Sequence, residues 1–195
     1  MKSKLPIFLP GLLVAASCVS LGARTFTSPT EATAAIVESV DEGERQEASR
    51  IFDTFARGST QREQVYAELF GTAEQRYRNK RAEGAADVLE FVCAKYPGAV
   101  NAREALVYAR FMERAENGVP KVGQAEAMEA AIADYRSVAD RPSAFVDLAL
   151  VQLAIDDGDL GQAREDFRNF LGTWDGGSPE IMLYVEDLGR YLETH

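Results

Sequence analysis

The chain has 195 residues, of which 46% are hydrophobic, and this is long enough for one domain with a buried core. It carries 21 Lys and Arg against 31 Asp and Glu, and this net charge of −10 disfavours nucleic acid and anionic membrane surfaces as partners, because both are bound mainly through basic side chains. The single histidine, His195, is the last residue, so catalytic arrangements that need a firmly held histidine lack one, and a Cys/His zinc site lacks ligands. We therefore expect no enzyme activity, no metal and no cofactor.

The N-terminus has the order of an export signal. Lys2 and Lys4 precede an apolar run over residues 5–16, and small residues follow it. The run is too short for a membrane span, which needs roughly 20 residues. We predict a signal peptide over residues 1–17, or to residue 23 if cleavage falls later, and hence an exported protein in the periplasm or cell envelope. The leader takes two lysines and no acid, so the remainder carries a net charge of −12.

Residues 15–18 read Ala-Ala-Ser-Cys, which resembles the lipobox of bacterial lipoproteins, where an obligatory cysteine is lipidated and becomes the new N-terminus. The resemblance implies lipidation of Cys18 and, with Val19 after it, an outer-membrane anchor. The family prefers leucine where this chain has Ala15, so cleavage after a later small residue is the alternative. A disulfide from Cys18 to Cys93 is a third reading, without an evident structural purpose.

Beyond a linker at residues 18–29, the pattern of residues 30–195 is helical, with many Ala, Glu, Gln and Arg and with apolar residues three and four apart. One spacing recurs: an alanine, a large apolar residue four positions on, and another apolar residue three further. These offsets place three side chains on one helix face, where the alanine lets a neighbouring helix approach. The four copies are Ala48–Phe52–Phe55, Ala85–Leu89–Val92, Ala131–Tyr135–Val138 and Ala163–Phe167–Phe170.

Each copy has an upstream partner helix, so the pattern predicts four helical hairpins. Gly43, Gly118 and Gly158 fall at or near turns within hairpins, and Pro97 and Pro142 follow two of the second helices. A last amphipathic segment, 178–193, begins Ser-Pro-Glu and predicts a helix that closes the stack. The predicted pairs are 30–42 with 44–57, 61–79 with 83–96, 100–116 with 123–140, and 143–156 with 160–173.

The pattern resembles tetratricopeptide repeats (TPR), most clearly over residues 66–99. The resemblance implies an all-α α-solenoid of about four TPR-like hairpins with a C-terminal capping helix. This chain lacks the Trp and Gly of the family's first helices, and its third copy carries an insertion of about 12 residues. The "AKYPG" end of the second copy is similar to repeats of outer-membrane assembly lipoproteins and cell-division coordinators. The matching residues are Leu69, Thr72, Ala73, Ala85, Leu89, Val92 and Pro97.

In the TPR family the first helices line a concave face that grips an extended peptide or a partner helix. The resemblance therefore implies a non-catalytic scaffold or adaptor in the bacterial cell envelope, with a protein or peptide partner, no nucleic acid, and membrane contact only through the lipid anchor. An accessory lipoprotein of outer-membrane assembly or cell division is an alternative. A carboxylate-based envelope hydrolase is another, and a self-associating structural module is a third. The carried-over groove residues are Phe70, Glu74, Tyr77, Arg78, Tyr108, Phe111, Met112, Phe145, Leu148 and Gln152, unless several of these aromatics pack between helices instead.

Four other features have structural interpretations. The acidic run 156–159 lacks the spacing of a calcium loop and predicts a joint between helices. Cys93 is expected in the core as a small apolar residue. Trp174 either serves as an exposed anchor or covers the last hairpin. The basic cluster 75–81 is interpreted as a solvated helix end, with an acidic partner as the alternative.

Overall fold

The computed structural model describes residues 25–117, 121–177 and 179–195, and this part of the chain folds into helices with no strand. The predicted leader, Cys18, Gly118 and Ser178 lie outside the described residues. The helices are α1 (Pro29–Asp41), α2 (Arg45–Phe55), α3 (Ser59–Arg78), α4 (Ala82–Lys95), α5 (Val100–Asn117), α6 (Gln124–Val138), α7 (Ala144–Asp156), α8 (Leu160–Thr173) and α9 (Pro179–Thr194).

The helices pack in series as four hairpins. Within each hairpin the two helices lie along one another, and successive hairpins meet mainly through α1 with α3, α4 with α5, and α5 with α7. The last helix, α9, packs on α8. The predicted all-α solenoid of four hairpins and a closing helix is confirmed, with helix ends within about two residues of the predicted ones.

Local sequence explains how the helices start and stop. The Ser28 side chain accepts a hydrogen bond from the Glu31 amide at the start of α1, and Pro29 follows at the first helical position. Gly158 adopts a left-handed conformation (φ 78°) between α7 and α8, and the Asp159 carboxylate accepts a 3.0 Å hydrogen bond from the Gln162 amide at the start of α8. The acidic run 156–159 is therefore the helix joint that we predicted.

The recurring alanine spacing builds the core. Ala48, Ala85 and Ala163 have no exposed surface, and Phe52 and Phe170 are equally enclosed. Burial of these apolar side chains is the main favourable contribution to folding. Cys93 is also buried, as predicted, and burial raises the pKa of its thiol to about 12, so the thiol stays protonated.

The basic cluster contributes to packing between hairpins, which corrects the interpretation of it as a solvated helix end. The Arg76 side chain is buried and donates to both carboxylate oxygens of Asp41, at 2.6 and 2.7 Å, and to the Gly84 carbonyl oxygen at 2.9 Å. A bidentate bond of this kind fixes α3 against the end of α1. Arg78 and Lys80, by contrast, are exposed as expected.

Candidate functional site

Three aromatic rings from the first helices of successive hairpins form one continuous row, which we call the aromatic strip. The Tyr77 ring on α3 packs edge-on against the Tyr108 ring on α5, with centroids 5.4 Å apart. The Tyr108 ring in turn lies 4.7 Å from the Phe145 ring on α7. All three side chains are half-buried. The structure thus brings together three of the predicted groove residues and leaves part of each ring open to solvent.

Other predicted groove residues flank the aromatic strip on α3 and α5. The Phe70 ring is half-buried and stacks on Tyr66 at 5.8 Å. Glu74 and Arg78 form a surface ion pair at 4.0 Å, one helical turn apart. Burial raises the pKa of Tyr77 above its usual value, and the neighbouring Glu74 carboxylate adds to this. The Met112 side chain is half-buried as well. The surface therefore combines apolar rings with a charged edge.

Three predicted groove residues are buried, which corrects their assignment to an open face. The exposed fractions of Phe111, Leu148 and Gln152 are 2%, 1% and 8%. Over Phe111 and Gln152 the cover is α9, whose Tyr184 ring packs edge-on against Phe111 with centroids 5.2 Å apart. The Tyr184 hydroxyl also donates a 2.8 Å hydrogen bond to the Gln152 side-chain oxygen. The prediction failed here because it treated the last helix only as the end of the stack.

A polar network continues inward from Tyr184. The Gln152 side-chain nitrogen donates to the Asp156 carboxylate at 2.9 Å, and the Arg114 guanidinium donates to both oxygens of that carboxylate at 2.8 and 2.7 Å. Burial raises the pKa of Tyr184 to about 12, with Arg114 opposing the shift and Asp156 adding to it. The closed end of the first-helix face is therefore a satisfied network between α5, α7 and α9.

Sequence reasoning missed Tyr184 as a contact of the first-helix face. It stands in the apolar stripe of the last amphipathic segment, so the sequence indicated that its side chain faces inward. A tyrosine in a buried stripe needs a hydrogen-bond partner for its hydroxyl, and that need was a usable signal. Of the two interpretations of Trp174, the structure supports the one in which it covers the last hairpin. Its side chain is half-buried, and its ring stacks on Phe170 with centroids 5.3 Å apart.

The aromatic strip and its flanks have the composition of a binding surface. Within residues 25–117, 121–177 and 179–195, no cluster of three His, Cys, Asp or Glu side chains is placed to hold a metal ion. The aromatic strip offers preformed apolar contact surface, and its flanks offer a carboxylate and a guanidinium. Surfaces with this composition typically supply the anchoring contacts in protein–protein recognition.

The fold and the aromatic strip define a helical-repeat protein with a preformed aromatic surface on its first helices. No family model matches the chain, and neither a curated protein nor a solved structure matches it. Of the helices that the structure describes, none combines the length and apolar character needed to cross a membrane.

Proposed function

We propose that the protein is an exported, non-catalytic scaffold of the TPR type that binds a segment of a protein partner along the aromatic strip. The observation that carries the proposal is the contact of Tyr108 with both Tyr77 and Phe145, since it joins three hairpins into one row of half-buried rings. Rings that are already fixed against each other lose little freedom on binding, so their apolar contact contributes directly to affinity.

The partner segment that fits this surface has apolar or aromatic side chains along one side. Half-buried rings gain apolar contact when a partner covers their open part, and aromatic pairs add roughly 0.5–1.5 kcal/mol beyond the buried area. Glu74 and Arg78 at the edge of the aromatic strip give orientation rather than affinity, because exposed charges are screened by water and salt.

Cross-linking and affinity capture from the native host tests this proposal. We expect the double variant Tyr77→Ala, Phe145→Ala to lose the proteins that the original chain captures, while its helical circular dichroism is retained. The matched control is Tyr191→Ala, which removes an exposed aromatic side chain on α9. Capture that is unchanged in the double variant, or loss of its helicity, would show that the rings are only part of the core.

The proposed lipid anchor is tested separately. The lipobox-like residues 15–18 support a lipid anchor on Cys18, and metabolic labelling with a fatty-acid analogue measures it. We expect label on the original chain and on the control variant Cys93→Ala, and none on Cys18→Ala. Label that persists in Cys18→Ala contradicts lipidation at this cysteine.

A further inference from the structure

A second open surface lies away from the aromatic strip, in the cleft between α6 and the hairpin of α7 and α8. The cleft has a volume of about 910 Å³, and its apolar floor includes Ile132, Leu150 and Leu153. Leu150 and Leu153 are only half-buried, although α7 is apolar on nearly all sides and has no fully exposed residue. A helix of this composition is normally enclosed all round. The side that faces this cleft is one of its open sides, and Phe145 lies on another.

The walls of the cleft are acidic. Four carboxylate side chains line it, those of Glu129, Asp157, Asp159 and Asp166, together with one cation, Arg136. The Asp159 carboxylate is occupied in part as the N-cap of α8. The charge balance of the walls favours an occupant that carries positive charge, and the floor favours one that also carries apolar groups.

Asp166 differs from the other buried charged residues of the described chain. Its exposed fraction is 9%, it lies in the wall of the cleft, and within residues 25–117, 121–177 and 179–195 no cation lies within ion-pair distance of it. Its carboxylate accepts a 3.1 Å hydrogen bond from the Gln162 side-chain amide, which is neutral. The other buried charges form the pairs Arg76–Asp41, Arg103–Asp134, Glu113–Arg110 and Arg114–Asp156.

A buried carboxylate without a cation destabilises the fold, because desolvation of the charge is not offset by an opposite charge. The sequence nevertheless has Asp166 at this position, beside an open apolar cleft. We propose that the cleft is a binding site for an apolar protein segment that bears an arginine or lysine, whose cationic group pairs with Asp166 while its apolar side chains cover Leu150 and Leu153.

This site is independent of the aromatic strip and goes beyond the function proposed above. At about 100° per residue, Leu150 and Leu153 project from α7 about 140° and about 80° away from Phe145 around the helix axis. The two surfaces can therefore be occupied at the same time, and substitutions at one should leave binding at the other unchanged. A protein with two such surfaces can hold two segments of one partner or of different partners.

Fluorescence anisotropy with a labelled probe peptide tests the proposal on the full chain without its leader. The probe is an amphipathic peptide of leucine and arginine, roughly 14 residues or four helical turns long. We expect saturable binding that weakens as salt is added, since an ion pair contributes to it. Asp166→Asn should weaken binding by at least about tenfold, the usual effect of losing a hydrogen bond to a charged group. Leu153→Ala should weaken it too, because it removes part of the apolar floor.

The matched control is Glu165→Gln, which removes the same charge from the adjacent, exposed position on α8. It should leave the affinity within about twofold, as should the double variant Tyr77→Ala, Phe145→Ala. Thermal unfolding should show Asp166→Asn to be at least as stable as the original chain, since the asparagine oxygen can still accept from Gln162. Equal weakening by Asp166→Asn and Glu165→Gln, no saturable binding, equal binding of a glutamate-for-arginine probe, or destabilisation by Asp166→Asn overturns the proposal.

Discussion

Two arginine–aspartate pairs join first helices at opposite ends of the stack, and they differ in their access to water. Arg76 on α3 pairs with Asp41 on α1, and Arg114 on α5 pairs with Asp156 on α7. Both pairs are bidentate, with donor–acceptor distances of 2.6 to 2.8 Å. The Asp41 side chain, however, is 41% exposed, whereas the Asp156 side chain is 12% exposed.

The difference comes from α9. Tyr184 on this helix donates to Gln152 on α7, and Gln152 in turn donates to Asp156. Among the residues that the structure describes, no helix covers Asp41 in the same way, and its side chain is 41% exposed. Both arginines are buried, so the difference lies on the carboxylate side. Water beside Asp41 lowers the Coulomb energy of that pair and can take the place of the carboxylate next to Arg76 when Asp41 is removed. We therefore expect the Arg114–Asp156 pair to be more sensitive than the Arg76–Asp41 pair to loss of its carboxylate.

Asp156→Ala is expected to have the largest effect on the free energy of unfolding. It leaves the Arg114 guanidinium buried without its carboxylate, so we expect a loss of about 3–5 kcal/mol in the free energy of unfolding, measured by urea denaturation. Asp41→Ala is the matched variant and should cost about 1 kcal/mol, because water can replace the exposed carboxylate. Similar losses in the two variants would show that cover by α9 does not determine the energetics.

The hairpins and their core could be predicted from the sequence because the signals are local and periodic. Alanine and large apolar residues at offsets of zero, four and seven define one helix face, whatever the rest of the chain does. Ala85 and Leu89 are accordingly buried where the spacing placed them. The turn at Gly158 is local as well, since a left-handed residue is needed between two helices that reverse direction.

The exposure of the first-helix face could be predicted only in part, because it depends on contacts between residues far apart in the chain. Tyr108 and Phe111 lie one helical turn apart on α5, and nothing local distinguishes them. Tyr108 remains half-buried, while Phe111 is covered by Tyr184 from a helix that begins about 70 residues later. The open cleft beside α7 is equally a result of where α6 lies, which no periodicity encodes.

Two tyrosines, one near each end of the stack, allow the two ends to be compared by the loss of stability at alkaline pH. Burial raises the pKa of both Tyr184 and Tyr96 to about 12, from an ordinary value of 10.0. The Tyr96 hydroxyl donates to the Arg62 carbonyl oxygen at 2.6 Å near the N-terminal hairpins, whereas Tyr184 donates to the Gln152 side chain beneath α9. Both hydroxyls are therefore held neutral in the folded protein at a pH where an unfolded chain already ionises.

The stability that these tyrosines contribute is constant below pH 10 and falls as the pH rises from 10 to 12, because in that range the two hydroxyls ionise in the unfolded chain but not in the folded protein. For Tyr184, which is the more enclosed of the two, the loss across this range should reach about 2 kcal/mol. Urea denaturation at intervals over this range should give a clearly shallower decline for Tyr184→Phe than for the original chain. Tyr96→Phe should reduce the decline less, because solvent already screens that side of the protein. If Tyr96→Phe reduces the decline more than Tyr184→Phe does, then the environment of Tyr96 in the N-terminal hairpins, and not that of Tyr184 under α9, is the less accessible to water.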